Sequence, residues 1–138
     1  MRDGVIAFAG GAVSAATTRE RFLQMHPGAA LVTANEPHLT YRLGPIDVRG
    51  RAVYANVTFT GESLRTIRMG GVSEAASWDD VSEATLVADK RANDDWLRDE
   101  FGLGPQATFA WGAVSSTIDR RSGFSAITIT YGDDATKA

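Results

Sequence analysis

Any acid–base, nucleophilic or metal chemistry in this chain must be built from two histidines, several neighbouring carboxylates and ordinary hydroxyls, because there is no cysteine. His26 sits before Pro27 at an expected helix end, and His38 follows Pro37 in a turn. Neither has the spaced Cys, His or carboxylate companions that a metal site needs, so capping or surface roles are expected for both. No Gly-x-Ser-x-Gly elbow presents a serine to a base. The pairs Asp79-Asp80 and Asp94-Asp95 are adjacent in sequence. On a helix their side chains diverge by about 100° and cannot share a proton as a catalytic dyad does. Gly10-Gly11 and Gly70-Gly71 lack the rest of a phosphate-loop fingerprint and read as turn glycines, and Arg120-Arg121 reads as the exposed tip of the last hairpin. The expectation is no catalytic residue, no metal ligand and no cofactor, which turns attention to binding.

The elements that would position a binding surface belong to a small α+β domain. The chain has 138 residues, 43% apolar and 22% charged, which supports one domain over residues 1–138. Two pseudo-repeat halves, 1–72 and 73–132, are suggested by a recurring hairpin, with a flexible tail at 133–138. Val53 and Val114, and Val57 and Ile118, are 61 residues apart, and Ile67 and Ile127 are 60 apart. The absence of cysteine excludes a disulfide framework and fits a reducing cytosol. Gly4 to Ala16 has the look of a secretory apolar run, the alternative being that it is secreted or periplasmic. Its leading charges, Arg2 and Asp3, cancel and three glycines weaken it, so a strand from Val5 to Ala9 followed by a Gly10-Gly11 turn is expected. A cytoplasmic protein with no membrane span follows.

Helix and strand signals alternate along the chain. Thr17 or Thr18 can cap a short helix that carries Phe22 and Met25 and stops at His26-Pro27-Gly28. Leu31–Thr33 and Leu39–Leu43 read as strands, Gly44-Pro45 as a turn, and Ala52–Met69 as a hairpin turning at Gly61-Glu62. The second helix is expected from about Trp78, capped by Ser77, to Phe101, with Gly102 as its stop. Its core face is expected to carry Trp78, Val81, Thr85, Ala88, Ala92 and Trp96, and Asn93-Asp94-Asp95 is expected to break it. Trp111-Gly112 opens a last strand pair in which the large ring packs closely over backbone. The fold expected is an antiparallel sheet with two main helices packed on one face.

Net charge is −3 but unevenly spread. Residues 1–72 hold eight arginines against five acids, a net of +3, whereas residues 73–101 hold nine acids against three bases, a net of −6. A concentrated acidic face favours a basic partner and repels nucleic acid; a plain solvated helix face is the alternative.

The order Asp95-Trp96-Leu97, Phe101-Gly102, Phe109-x-Trp111-Gly112, Ser116-x-Ile118-Asp119-x-Arg121-Ser122-Gly123 and Ile127-x-Ile129-x-Tyr131 resembles a C-terminal pattern of small bacterial immunity proteins. The tandem layout is also similar to the β-lactamase-inhibitor-protein-like fold. Both resemblances imply a non-enzymatic α+β protein that neutralises a partner, such as a toxin, by occlusion. On that reading Asp79, Asp80, Glu83, Asp94, Asp95 and Asp99 would steer a basic protein, and Trp78 would anchor it. Two other readings stay open. A concave sheet lined by Tyr41, Tyr54, Phe59 and Trp111 would suit a small-molecule site, and exposed edge strands would suit a self-associating homodimer.

Overall fold

A computed structural model describes residues 2–71, 82–119 and 124–132. Its elements are β1 (Ile6–Phe8), β2 (Gly11–Val13), α1 (Arg19–Met25), β3 (Ala30–Asn35), β4 (His38–Val48) and β5 (Arg51–Thr60). There follow β6 (Ser63–Gly71), α2 (Glu83–Phe101), β7 (Gln106–Phe109), β8 (Gly112–Asp119) and β9 (Phe124–Tyr131). The first two strands pair only with each other; the other seven form one sheet in the order β3-β4-β5-β6-β9-β8-β7, with every pairing antiparallel. Each helix is thus followed by a meander, and the two meanders meet through their last strands, where Ile67 lies opposite Ile129 and Met69 opposite Ile127.

Residues opposite one another in an antiparallel ladder share a face of the sheet. The row Tyr41, Val57, Ile67, Ile129 and Val114 is buried, while the adjoining row Thr40, Thr58, Thr66 and Thr130 is half-buried. The sheet therefore has one apolar and one polar face, the pattern of antiparallel sheets wetted on one side. Phe22 of α1 packs its ring against Tyr41 and Phe59, at centroid distances of 6.0 and 5.3 Å. Trp96 and Leu97 of α2, and Ile6, Phe8 and Val13 of the β1–β2 hairpin, belong to the same core. The Gly4–Ala16 run is thus a packed hairpin: its first strand was expected, but Gly11 opens a second strand, β2, where only a turn was expected.

Local chemistry explains the helix ends. Thr18 caps α1 by accepting from the Arg21 amide at 3.1 Å, and His26 closes it before Pro27. The His26 ring is buried between Phe8 and Phe22, with Nε2 3.3 Å from the Gly11 carbonyl, so its capping role stands and its surface role does not. Trp111 lies in the turn between β7 and β8, stacked on Phe109, and its Nε1 donates to the Arg2 carbonyl at 2.7 Å. Its ring covers Gly4, where a Cβ would come within 2.9 Å of the indole. The expected close approach of ring and backbone is real, but the backbone belongs to the start of the chain.

Three expectations need correction. Gly44-Pro45 is not a turn; it lies within β4 as a bulge, where the register shifts between Leu43 and Ile46 and the Tyr54 ring takes the space of a Gly44 side chain. Gly70-Gly71 ends β6 and makes no turn. In the hairpins compared as copies, Val57 faces Ile67 but Ile118 faces Ser125, so their registers differ by two residues. The hairpin tip at Arg120-Arg121 and the tail at 133–138 lie outside the described residues.

Phe22 is wholly buried, so Phe22→Ala should lower stability by about 3–5 kcal/mol in urea unfolding. Burial pushes the Tyr131 hydroxyl, which donates to the Gly4 carbonyl at 2.9 Å, well above its ordinary pKa of 10.0. A raised pKa means stability that is complete below the unfolded value and lost as pH rises above about 10. Tyr131→Phe should cost about 1 kcal/mol at neutral pH and flatten the alkaline loss seen in pH-dependent melting.

Candidate interaction surfaces

The helix α2 carries most of the candidate residues, and its ends are set by side chains. Ser82 caps it: its hydroxyl accepts from the Thr85 amide at 3.2 Å while Thr85 Oγ1 accepts from the Ser82 amide at 2.8 Å, a reciprocal capping box. Gly102 stops it in the left-handed conformation, φ 66°, with its amide donating to the Arg98 carbonyl and that of Leu103 to the Leu97 carbonyl. The stop was expected; the cap is Ser82, not Ser77. The helix runs unbroken through Asn93-Asp94-Asp95: the two aspartates are paired away from the backbone, and Asn93 is buried with its side-chain amide unpartnered. Asp94 pairs with Lys90 at 2.8 Å, Asp95 with Arg98 at 3.2 Å, and Asn93 is buried toward the sheet.

The buried face is also rotated from the one expected. Leu86, Asn93, Trp96 and Leu97 are buried, while Ala88 and Ala92 are exposed and Val87 is 43% exposed. Among the described residues of the expected stripe, only Trp96 lies fully inward. The seed of that stripe, Trp78 and Val81, lies outside the described residues together with Asp79 and Asp80. Of the other candidates, Glu83 and Asp99 are exposed and Asp95 half-exposed, with Asp99 3.0 Å from Arg98 Nε. Asp94 is turned partly inward toward Lys90 and Ser116. The structure therefore aligns Asp95 and Asp99 around one exposed arginine and separates Asp94 from them.

Part of the charge asymmetry is resolved inside the molecule. The β4–β5 turn carries Arg49 and Arg51 to α2, where their guanidiniums lie over the rings of Phe101 and Trp96 at 5.2 and 5.3 Å. Arg2 donates to the Gly102 carbonyl at 2.9 Å and Arg49 to the Glu100 carbonyl at 3.5 Å, placing cations at the negative end of the helix dipole. Burial lowers the Arg51 pKa, opposed by the Asp89 charge. Even so, α2 itself holds six carboxylates against three bases, a net of −3.

The polar face of the sheet holds a feature the sequence reading missed. Arg42, Asn56 and Arg68 stand in one cross-strand row, and with Tyr54 and Gly70 they line a shallow pocket of about 200 Å³. Tyr54 is on this face, whereas Tyr41 and Phe59 are buried in the core and Trp111 covers Gly4, so the four aromatics do not line one concave site. Tyr41 stands opposite Val57, and Tyr54, three residues before Val57 on β5, alternates to the other face of the sheet. His38 is exposed, with Nδ1 2.9 Å from Thr60 Oγ1, and among the described residues no group of His, Asp and Glu could hold a metal ion. At the sheet edge, every residue of β3 is exposed, including Leu31 at 54% and Val32 at 51%.

A sheet with one packed face and one wetted face, flanked by a charged helix, is a scaffold for binding at a surface. No family model matches the chain, and no curated protein matches it in sequence. In fold it is similar to a chain in a solved structure described as Rhs1-CT in complex with cognate immunity protein RhsI1. The TM-score is 0.55 at 15% identity, covering 98% of this chain and 90% of that one. The immunity-type resemblance of the C-terminal residues thus has a counterpart in the fold of the whole chain. No helix among the described residues is long and apolar enough to cross a membrane.

Although partial burial would raise its pKa, the hydrogen bond and charge of Lys90 hold the Asp94 carboxyl below the ordinary value. A depressed pKa contributes stability that is present above the unfolded value, about 3.9, and lost as pH falls through the folded one. Asp94→Asn should therefore lower the melting temperature at pH 7 and show a smaller further drop below about pH 4 than the parent.

Proposed function

We propose that this chain is an immunity-type protein, not an enzyme, that binds a basic toxin in the cytoplasm and neutralises it by occlusion. The observation that carries this reading is the likeness in fold, along 98% of the chain, to a chain of a toxin–immunity complex. The net −3 on α2 supports a basic partner, with Glu83, Asp99 and Glu100 exposed and Asp95 half-exposed along it. Long-range attraction of this kind raises the rate of encounter more than it deepens the final complex. The proposed interface also includes Glu83, in the first turn of α2, and Trp78, Asp79 and Asp80, which precede it in sequence and lie outside the described residues. Asp94 contributes through its pair with Lys90 and not as a free steering charge.

A second reading rests on β3. This edge strand is uncharged, wholly exposed and apolar at Leu31 and Val32, the properties that allow strands of two copies to pair. Sedimentation over a range of concentrations decides it: a dimer that Val32→Lys abolishes would support self-association, and a monomer throughout would remove it.

Capture from native cells at low salt should recover one basic partner at equal stoichiometry, whose expression alone arrests growth and whose co-expression with this chain does not. A captured partner that is harmless when expressed alone contradicts the immunity reading. The double reversal Asp95→Lys, Asp99→Lys should change stability by less than about 1 kcal/mol, since exposed ion pairs contribute little, yet weaken neutralisation. Undiminished neutralisation would remove this end of α2 from the interface.

A further inference from the structure

The polar face of the sheet is interrupted at one place for a simple steric reason. Most of its outward positions on β6 and β9 carry threonine or arginine, but Gly70 and Ala126, one step beyond the Met69–Ile127 pair, offer a hydrogen and a methyl group. They form the floor of the 200 Å³ pocket, with Tyr54, opposite Gly70, as one wall and the Arg42-Asn56-Arg68 row as the other. The chemistry of that row is specific. The Arg42 guanidinium rests 5.1 Å from the centre of the Tyr54 ring and has no carboxylate partner among the described residues. Arg68 meets Asp119 only at 3.4 Å, the long end of a hydrogen bond. Between the two cations, Asn56 Oδ1 is buried with no hydrogen-bond partner, an arrangement that costs free energy until a donor reaches it.

We propose that this pocket binds a carboxylate that carries an amide N–H beside it, the chemistry of an acidic residue within a peptide or of a free N-acylated amino acid. Arg42 and Arg68 take the carboxylate oxygens through charge-assisted hydrogen bonds, and Asn56 Oδ1 accepts the amide proton. Charge balance favours a monoanion: Arg42 and Arg68 line the pocket, Asp119 lies outside the lining 3.4 Å from Arg68, and the three groups together carry +1, which one carboxylate neutralises and a phosphate dianion would overshoot. Tyr54 supplies the flat wall against which the connecting carbons lie. This site is on the sheet and not on α2, so it stands or falls apart from the toxin-neutralising reading.

The test is a titration followed by NMR of the Asn56 side-chain amide and the Nε–H groups of Arg42 and Arg68. The probes are N-acetylglycine, a monoanion, and a blocked glutamyl peptide with one carboxylate, with acetate and inorganic phosphate as references. Saturable shifts of all three groups by at least one amide-bearing acid, with weaker binding of acetate, are expected. Arg42→Gln, at an exposed position, should weaken binding about tenfold, the loss of one charge-assisted contact, without moving the melting temperature. Tighter binding of the peptide identifies a protein segment as the source, and tighter binding of N-acetylglycine identifies a free acid. The proposal is overturned if neither acid gives saturable shifts, if Arg42→Gln leaves them unchanged, or if phosphate binds more tightly than both.

Discussion

The pairing of β6 with β9 is the constraint on which the rest of the molecule depends. Without it the chain is two meanders, each with an apolar face that its own helix cannot cover. With it, Ile67 and Met69 meet Ile129 and Ile127, and the two apolar faces become one continuous surface. The N-terminal hairpin can then bury Ile6, Phe8 and Val13, and Tyr131 and Trp111 can bond to the backbone of Gly4 and Arg2. Contacts between residues more than a hundred positions apart thus follow from one short ladder, and they tie the ends of the described chain together.

The same junction decides how charge is used. Bringing the meanders together sets the β4–β5 turn beside α2, so Arg49 and Arg51 stack on its aromatic side chains and Arg2 and Arg49 bond its last carbonyls. The helix is thereby fixed by cations along its inner side and C-terminal end, while its outer side keeps carboxylates in solvent. The asymmetry between the halves of the chain thus sets cations inward, where they hold a helix, and leaves the acidic side chains on its outer side.

What was legible in the sequence was what local chemistry determines. The Thr18 cap, the His26-Pro27 stop, the Gly61-Glu62 hairpin, the Gly102 stop and the burial of Trp96 each depend on a few neighbouring residues. What was not legible depends on partners distant in sequence. Asn93-Asp94-Asp95 would weaken an isolated helix, but Lys90 and Arg98 pair with the two aspartates and Asn93 is buried. Gly44-Pro45 would turn an isolated strand, but the ladder to β5 resumes at Ile46–Val53 and absorbs it as a bulge. The Arg42-Asn56-Arg68 row could have been suspected from outward positions in adjacent hairpins, though only the register shows that the three stand side by side.

The central claim is that the outer side of α2 steers a basic toxin to this protein. Its most direct measurement is the association rate of the two purified proteins as a function of ionic strength. The account predicts a rate that falls about tenfold or more between low and high salt, as screened long-range attraction requires, with little change in the dissociation rate. An association rate independent of salt would contradict it.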